Sequence, residues 1–253
     1  LSPQLGAITL TVSRQMVSDL HPADLADIIS QVSQKEGAAL FEHLDIETAA
    51  EALSELEPDK QAEMIESIEP GKAADIIEEM NPDDAADVLS DLPTEVAKEI
   101  LEHIEKEDAE DIQELLHHEE DTAGGLMNNL FLAYPPDITV REAIARFRKD
   151  AEEVDPVYYL FVVDALEKLV GVLSLREMIL ADPEMLLADI METKLRTVTP
   201  ETDEMVVAEL ISKYDLVAIP VIDSDGVCVG VITVDDIIDV IMPREGKRKR
   251  RKV

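Results

Sequence analysis

The stretch PGKAADIIEEMNPDDAADVLSDLPTEVAKEILEHI, residues 70–104, says one phrase three times. PGKAADIIEEM (70–80), NPDDAADVL (81–89) and PTEVAKEILEHI (93–104) each begin at or beside a proline, then set apolar residues at the spacing of one helix face. Outward at steps of twelve, Leu20, Val32, Leu44, Leu56, Ile68, Met80, Leu92 and Ile104 are all apolar. So are the residues three before each: Val17, Ile29, Phe41, Leu53, Ile65, Ile77, Leu89 and Leu101. Pro22, Pro58, Pro70, Pro82 and Pro93 mark the joints, and each is expected at a first helical position, where its missing N–H costs nothing. Asn81 is the expected N-cap of the helix opening at Pro82. One short helix cannot bury its stripe alone, so successive units must stack into an α-superhelix.

The repeat explains the repetition but not its charge. Asp83, Asp84 and Asp87 share little more than one turn. The helix dipole favours acids in the first turn and does little for Asp87, while Asp83 and Asp87 repel at i,i+4 by roughly 0.2–0.5 kcal/mol. A solvated acidic face and a cation site are both open at this point.

From about residue 125 the pattern changes to β-branched strands alternating with helices. YLFVVDALEKLVGVLSLREMI (159–179) matches VAIPVIDSDGVCVGVITVDDIIDVI (217–241): Asp164 to Gly171 and Asp223 to Gly230 are the same step, and Gly171–Ser174–Glu177 matches Gly230–Thr233–Asp236. TVREAIARF (139–147) and EMVVAELISKY (204–214) supply an amphipathic helix before each copy. Each copy therefore reads helix, strand, turn, strand, helix, with Asp225-Gly226 as a hairpin turn. The hydroxyl and carboxylate fall where strand passes into helix, a place that readily holds polar ligands. Asp235, Asp236 and Asp239 form a second one-turn acid cluster.

Composition narrows the classes. Apolar residues make up 46% and aromatics 3%, so the cores are aliphatic. No apolar run approaches the length of a membrane helix, no signal peptide is visible, and a soluble chain is expected. Cys228, the one cysteine, reads as a buried strand thiol in a reducing compartment. Net charge is −35, and the tail REGKRKRRKV (244–253) carries seven Lys/Arg and one Glu, which leaves the body at −41. Such a body repels nucleic acid and gathers cations. The adjacent His117 and His118 point to different sides of a helix and read as surface polarity. No H-E-x-x-H, phosphate loop or nucleophile–base arrangement is present, so an enzyme is not expected.

GVITVDD in tandem units resembles CBS domains, which dimerise and often bind adenine nucleotides between copies. The join HHEEDTAGGLMN (117–128), behind twelve-residue α-repeats, together with YYLFVVD, GVLSLRE, ADPEMLLADIM and VDDIIDVI, resembles the cytosolic half of the MgtE family of magnesium channels over about 20–242. The resemblance implies a multidomain α and α/β chain: a right-handed α-superhelix of short helices over 17–124, then CBS domains over 125–185 and 186–243. Residues 1–16 are expected to be an extension, where GAITLTVSRQM (6–16) alternates like the edge strand of an upstream domain. Residues 244–253 are expected to be a disordered basic tail.

The same resemblance implies a Mg2+ sensor whose ligands are Glu51, Asp83, Asp87, Asp215, Asp236 and Asp239, closing as Mg2+ joins the acidic faces of the two regions. A family ligand position falls on Met205, with Glu204 beside it. An adenine-nucleotide cleft, for ATP or a relative of it, maps to Tyr159, Arg176, Glu177, Leu216 and Ile219, with Glu177 standing where the family has Asp. The implied partners are a second copy through the CBS domains and, for a fragment, the family's membrane channel domain; no nucleic acid is expected. The implied location is cytoplasmic, at the inner membrane for a full-length transporter. Two rival readings are an adenine-nucleotide sensor without transport function and an acidic helical-repeat scaffold for a basic partner.

Overall fold

Helix starts fall at residues 22, 34, 46, 58, 70, 82, 94 and 106, so the twelve-residue apolar step is also the structural step. A computed structural model of the chain describes residues 20–151, 154 and 157–242. The expectations for Val17, for residues 1–16 and for the basic tail lie outside the described residues.

The repeats form α1 (Pro22–Gln31), α2 (Gln34–Phe41), α3 (Ile46–Ser54), α4 (Pro58–Ile65), α5 (Pro70–Glu78), α6 (Pro82–Asp91), α7 (Thr94–Leu101) and α8 (Lys106–Leu115). Each is too short to be stable alone, and tertiary packing supplies the rest. Helices pack on their second neighbours: α1 on α3, α3 on α5, α5 on α7, and α2 on α4. Phe41, Leu53 and Ile77 are fully buried, and none of the described repeat positions is exposed. Side chains also close helix ends. Lys72 Nζ donates to the Phe41 carbonyl at 2.9 Å, where a cation meets the negative end of α2. Buried Gln61 Nε2 donates to the Leu53 carbonyl at 2.9 Å at the end of α3. Pro22, Pro58, Pro70 and Pro82 occupy first helical positions, but Pro93 stands at the N-cap of α7, one residue before the expected place. The Asn81 carbonyl accepts from Ala85 N at 2.9 Å, the first bond of α6.

Two compact units emerge. Among the described residues, one unit takes residues 20–80 and Asp91–Ile104, and the other takes Asn81–Ser90 and the chain from Glu105 onward. Helix α6 thus belongs, but for its last residue, with the α/β part of the chain.

That part continues through α9 (Ala123–Leu126), β1 (Ala133–Tyr134), α10 (Val140–Asp150), β2 (Tyr159–Val163), β3 (Leu169–Ser174), α11 (Leu175–Leu180), α12 (Leu187–Ile190), α13 (Glu204–Tyr214), β4 (Ala218–Ile222), β5 (Cys228–Thr233) and α14 (Val234–Ile241). The first sheet runs β1-β2-β3, with β1 parallel to β2 and β2 antiparallel to β3; β4 and β5 form an antiparallel pair. The copies are built alike. Val162 faces Gly171 and Val221 faces Gly230, each just before a bulge. In both turns an aspartate folds the loop: Asp164 Oδ1 accepts from Leu166 N and Lys168 N, and Asp223 Oδ1 from Asp225 N and Val227 N. Gly226 takes φ +85°, as its turn demands, while the first copy holds Glu167 at φ +61°.

Each copy lends its leading segment to the other. The backbone at Asn128 bridges Val231 of β5, and the backbone at Glu192 bridges Val172 of β3. Met127 lies over Gly230 and Met191 over Gly171, leaving no room for a Cβ at either glycine. The chain therefore makes a helical-repeat region followed by a tandem CBS pair.

Candidate metal centre

Helices α6 and α14 supply the candidate centre, and both lie in the second unit. At the N-terminus of α14, Thr233 caps the helix: Asp236 Oδ2 accepts from Thr233 N at 2.8 Å and from Thr233 Oγ1 at 2.9 Å, a capping box. Thr233 Oγ1 also lies 2.5 Å from Asp235 Oδ1. In the first turn of α6, Asp83 Oδ1 accepts from Asn128 Nδ2 at 3.1 Å.

These carboxyls are crowded by their own kind. Desolvation first, then the charges of Asp84 and Asp236, push Asp83 well above the ordinary carboxylate value. Asp236 is pushed up to about 7, by desolvation first, with Asp235 and Asp84 adding to it against the lowering effect of its Thr233 hydrogen bonds. Asp83 and Asp236 are 153 positions apart in sequence and half-buried in the fold. An anion that is half desolvated beside other anions is the arrangement a divalent cation relieves.

The predicted ligands divide. Asp236 raises Asp83, and Asp84, absent from the predicted set, raises both. Asp87 is exposed one turn beyond Asp83, and Asp239 is half-buried one turn beyond Asp236. Asp215 is exposed, ends α13 in a left-handed conformation (φ 50°, ψ 42°), and is not among the groups that raise Asp83 or Asp236. Glu51 is exposed on α3, in the first unit. Met205 is exposed; its N–H is held by the Asp203 carboxylate at 2.9 Å, and Glu204 N donates to the Asp121 carbonyl at 3.1 Å.

Oxygen-only donors suit a hard cation such as Mg2+, which takes one or two carboxylates and keeps several waters. The protein holds both carboxyls in place, Asp83 through Asn128 Nδ2 and backbone hydrogen bonds at Asp83 and Asp84, and Asp236 through Thr233. The donor set fits. Beside Asn128, Asn129 Nδ2 donates to the Asp111 carbonyl at 3.1 Å, and its Oδ1 is buried without a hydrogen-bond partner among the described residues. His118, by contrast, packs against Gly124, and His117 Nδ1 bonds back to the Gln113 carbonyl.

The predicted nucleotide residues are scattered in role. Glu177 is exposed and occupied in a capping box, accepting from Ser174 N at 2.9 Å and Ser174 Oγ at 2.7 Å. Arg176 is exposed, Leu216 half-buried, and Ile219 fully buried in β4, where its backbone is all it can present. Tyr159 lines a cavity of about 20 Å³ with Leu130, Phe161, Ala218, Val231 and Thr233. That is far below the roughly 300 Å³ of an ordinary small-molecule pocket, so a nucleotide would have to open it.

Comparison with known proteins identifies the family. The profile of the MgtE intracellular N domain matches residues 20–121, and the CBS domain profile matches 123–184 and 187–243. Over 127 residues, 50% of this chain and 28% of the relative, it is 43% identical to the magnesium transporter MgtE of Thermus thermophilus. It is 40% identical over 128 residues, 51% of this chain and 28% of the relative, to that of Bacillus subtilis. The curated relatives are thus matched over under a third of their own length. Among solved structures, the cytosolic domain of the Mg2+ channel MgtE in complex with ATP superposes with a TM-score of 0.86 at 35% identity, covering 90% of this chain and 93% of that one. The soluble part of a magnesium transporter gives 0.84 at 34% identity, covering 90% of each. No helix among the described residues is long and apolar enough to cross a membrane. The chain belongs to the MgtE family and carries its intracellular N domain followed by its CBS pair.

Proposed function

We propose that this chain is a cytosolic Mg2+-sensing regulatory module of an MgtE-type transporter and works without catalysis. The supporting observation is the crowding of Asp83 and Asp236, two carboxyls from distant parts of the sequence raised by desolvation and by each other's neighbours. With the ion absent, α6 and α14 present anions to one another. Mg2+ supplies two positive charges and oxygen coordination, drawing the carboxyls of Asp83 and Asp236 to one centre. Asp84, Asp87, Asp235 and Asp239 add to the field that concentrates the ion. The ion-bound state is the closed one, and in a full-length transporter it would restrain the membrane channel domain.

The module acts as a dimer through its CBS pair. Helices α11 and α14 leave apolar side chains uncovered: Ile179 is 72% exposed in α11 beside Leu180, Ile238 and Ile241 are exposed in α14, and Met242 just past its end is 72% exposed. These are the corresponding helices of the two copies, and a second chain offers the same apolar faces in return.

Calorimetry tests the sensor. Mg2+ should bind with a midpoint on the order of millimolar, the scale of weak carboxylate sites. The double variant Asp83→Ala, Asp236→Asn should weaken it about tenfold or more. Equal affinity in the variant would remove the centre from these residues.

A second reading adds adenine nucleotide as an input, supported by the relative solved with ATP. ATP should then raise the melting temperature, by about 2.7 kcal/mol of stabilisation at a hundred times its dissociation constant. Glu177→Ala should weaken the effect. Absence of heat at millimolar ATP would end this reading and leave the Mg2+ one intact.

A further inference from the structure

Asn128 is bonded through every polar group it carries. Its N–H donates to the Val231 carbonyl at 2.8 Å, and its carbonyl accepts from Val231 N at 2.9 Å. Its side-chain Oδ1 accepts from Leu130 N at 2.7 Å. That last bond fixes the orientation of the amide, because a backbone N–H requires the oxygen on its side. The group turned to Asp83 must therefore be the NH2, a donor, at 3.1 Å from Oδ1. Two residues beyond Val231, Thr233 holds Asp236 through its N–H and hydroxyl. A continuous run of bonds joins Asp83, Asn128, Val231, Thr233 and Asp236.

The other copy shows what this position does without the amide. Glu192 makes the same pair of backbone bonds, to Val172 at 2.9 and 3.0 Å, and its carboxylate turns back to Lys194 N. An acid at 128 would retain the Leu130 bond and set a second anion against Asp83.

We propose that Asn128 is a positioning residue: its amide orients Asp83 toward Asp236 and keeps α6 docked on the CBS pair while no cation is bound. This rests on the Mg2+ reading of Asp83 and Asp236, and it explains how an acid-crowded face stays assembled and ready between ions. A neutral donor holds the carboxyl in place without adding a charge that would compete with the ion.

Hydrogen exchange of the α6 amides in EDTA tests it directly. Asn128→Asp keeps the shape and the Leu130 bond and reverses only the face toward Asp83. It should speed α6 exchange about tenfold or more, the scale of losing a hydrogen bond to a charged partner. Adding Asp83→Asn returns a donor–acceptor pair with the roles exchanged, and exchange should fall back to within about threefold of the unmodified protein. Asn128→Ala removes the donor without adding charge and should give a smaller effect in the same direction, which keeps the test decisive if the aspartate variant folds poorly. Saturating Mg2+ should rescue Asn128→Asp more than Asn128→Ala, since the new carboxylate can take part in binding the ion. Unchanged α6 exchange in both single variants, or no recovery in the Asp83→Asn double variant, overturns the positioning role. The Mg2+ reading fails separately, by absence of Mg2+ heat in the unmodified protein, and the EDTA exchange data decide the role of Asn128 in either case.

Discussion

Asp236→Asn should stabilise the metal-free protein at alkaline pH. The substitution keeps an oxygen for Thr233 N to donate to at the start of α14 and removes the charge that desolvation and Asp235 oppose. Raising this carboxyl from an ordinary 3.8 to about 7 disfavours its folded anion by on the order of 4 kcal/mol. The side chain is half-buried rather than enclosed, so relaxation and water return some of that, and a gain of about 2 kcal/mol is expected. In a chain of this length that is about 4–8 °C in melting temperature. The sign follows from linkage. The folded carboxyl holds its proton to a higher pH than the unfolded one, so its contribution is fully present below about 4 and is lost as pH rises through about 7. The unmodified protein in EDTA should therefore lose stability between pH 5.5 and 8, and the Asn variant should lose less. Its advantage is largest at pH 8 and shrinks toward pH 5.5. Thermal melts of both proteins at the two pH values measure the difference, in which the general repulsion of the acidic surface largely cancels. A variant that melts at or below the unmodified protein at pH 8 would refute the claim that Asp236 is a desolvated anion among anions.

Thr233→Val should cost about 1 kcal/mol by removing the hydroxyl that caps α14 and meets Asp235 and Asp236, read as a lower denaturant midpoint at constant slope. Gly230→Ala should cost about 1–3 kcal/mol, because its Cβ would come within 2.7 Å of the Met127 sulfur and 3.0 Å of the Asn128 carbonyl oxygen, disturbing the crossed segment that carries Asn128. Burial pushes the Cys228 thiol up to about 12, so at pH 8 its alkylation in the folded protein should run at least about tenfold slower than in denaturant; equal rates would show the strand to be open.

What the sequence makes legible is what repeats. Twelve-residue apolar spacing marks every helix start of the superhelix because each unit solves the same burial problem, and Pro93 misses its expected place only because Thr94 begins α7. The paired Asp-to-Gly steps likewise locate both hairpins, since an aspartate that folds its own turn leaves a fixed distance to the glycine opposite Val162 or Val221. The ligand set is only partly legible. Asp83, Asp84 and Asp236 all stand in acid clusters the sequence shows, but which members of the two clusters face one another is not legible, and Asp84 falls outside the expected ligand set. Asn128 is hidden for the same reason: it acts across the CBS pair through a lent segment, and local pattern shows only an asparagine closing a join. Nor does pattern reveal that Glu167 takes the left-handed turn position that Gly226 fills in the second copy.

Anomalous diffraction from crystals grown with Mn2+, an octahedral oxygen-seeking stand-in for Mg2+, tests the central claim most directly. The account predicts a peak bonded to the carboxyls of both Asp83 and Asp236, at the roughly 2.0–2.2 Å expected of such an ion, and displaced by excess Mg2+. Crystals that hold Mn2+ elsewhere while leaving Asp83 and Asp236 without a peak, at concentrations above the calorimetric midpoint, would contradict it.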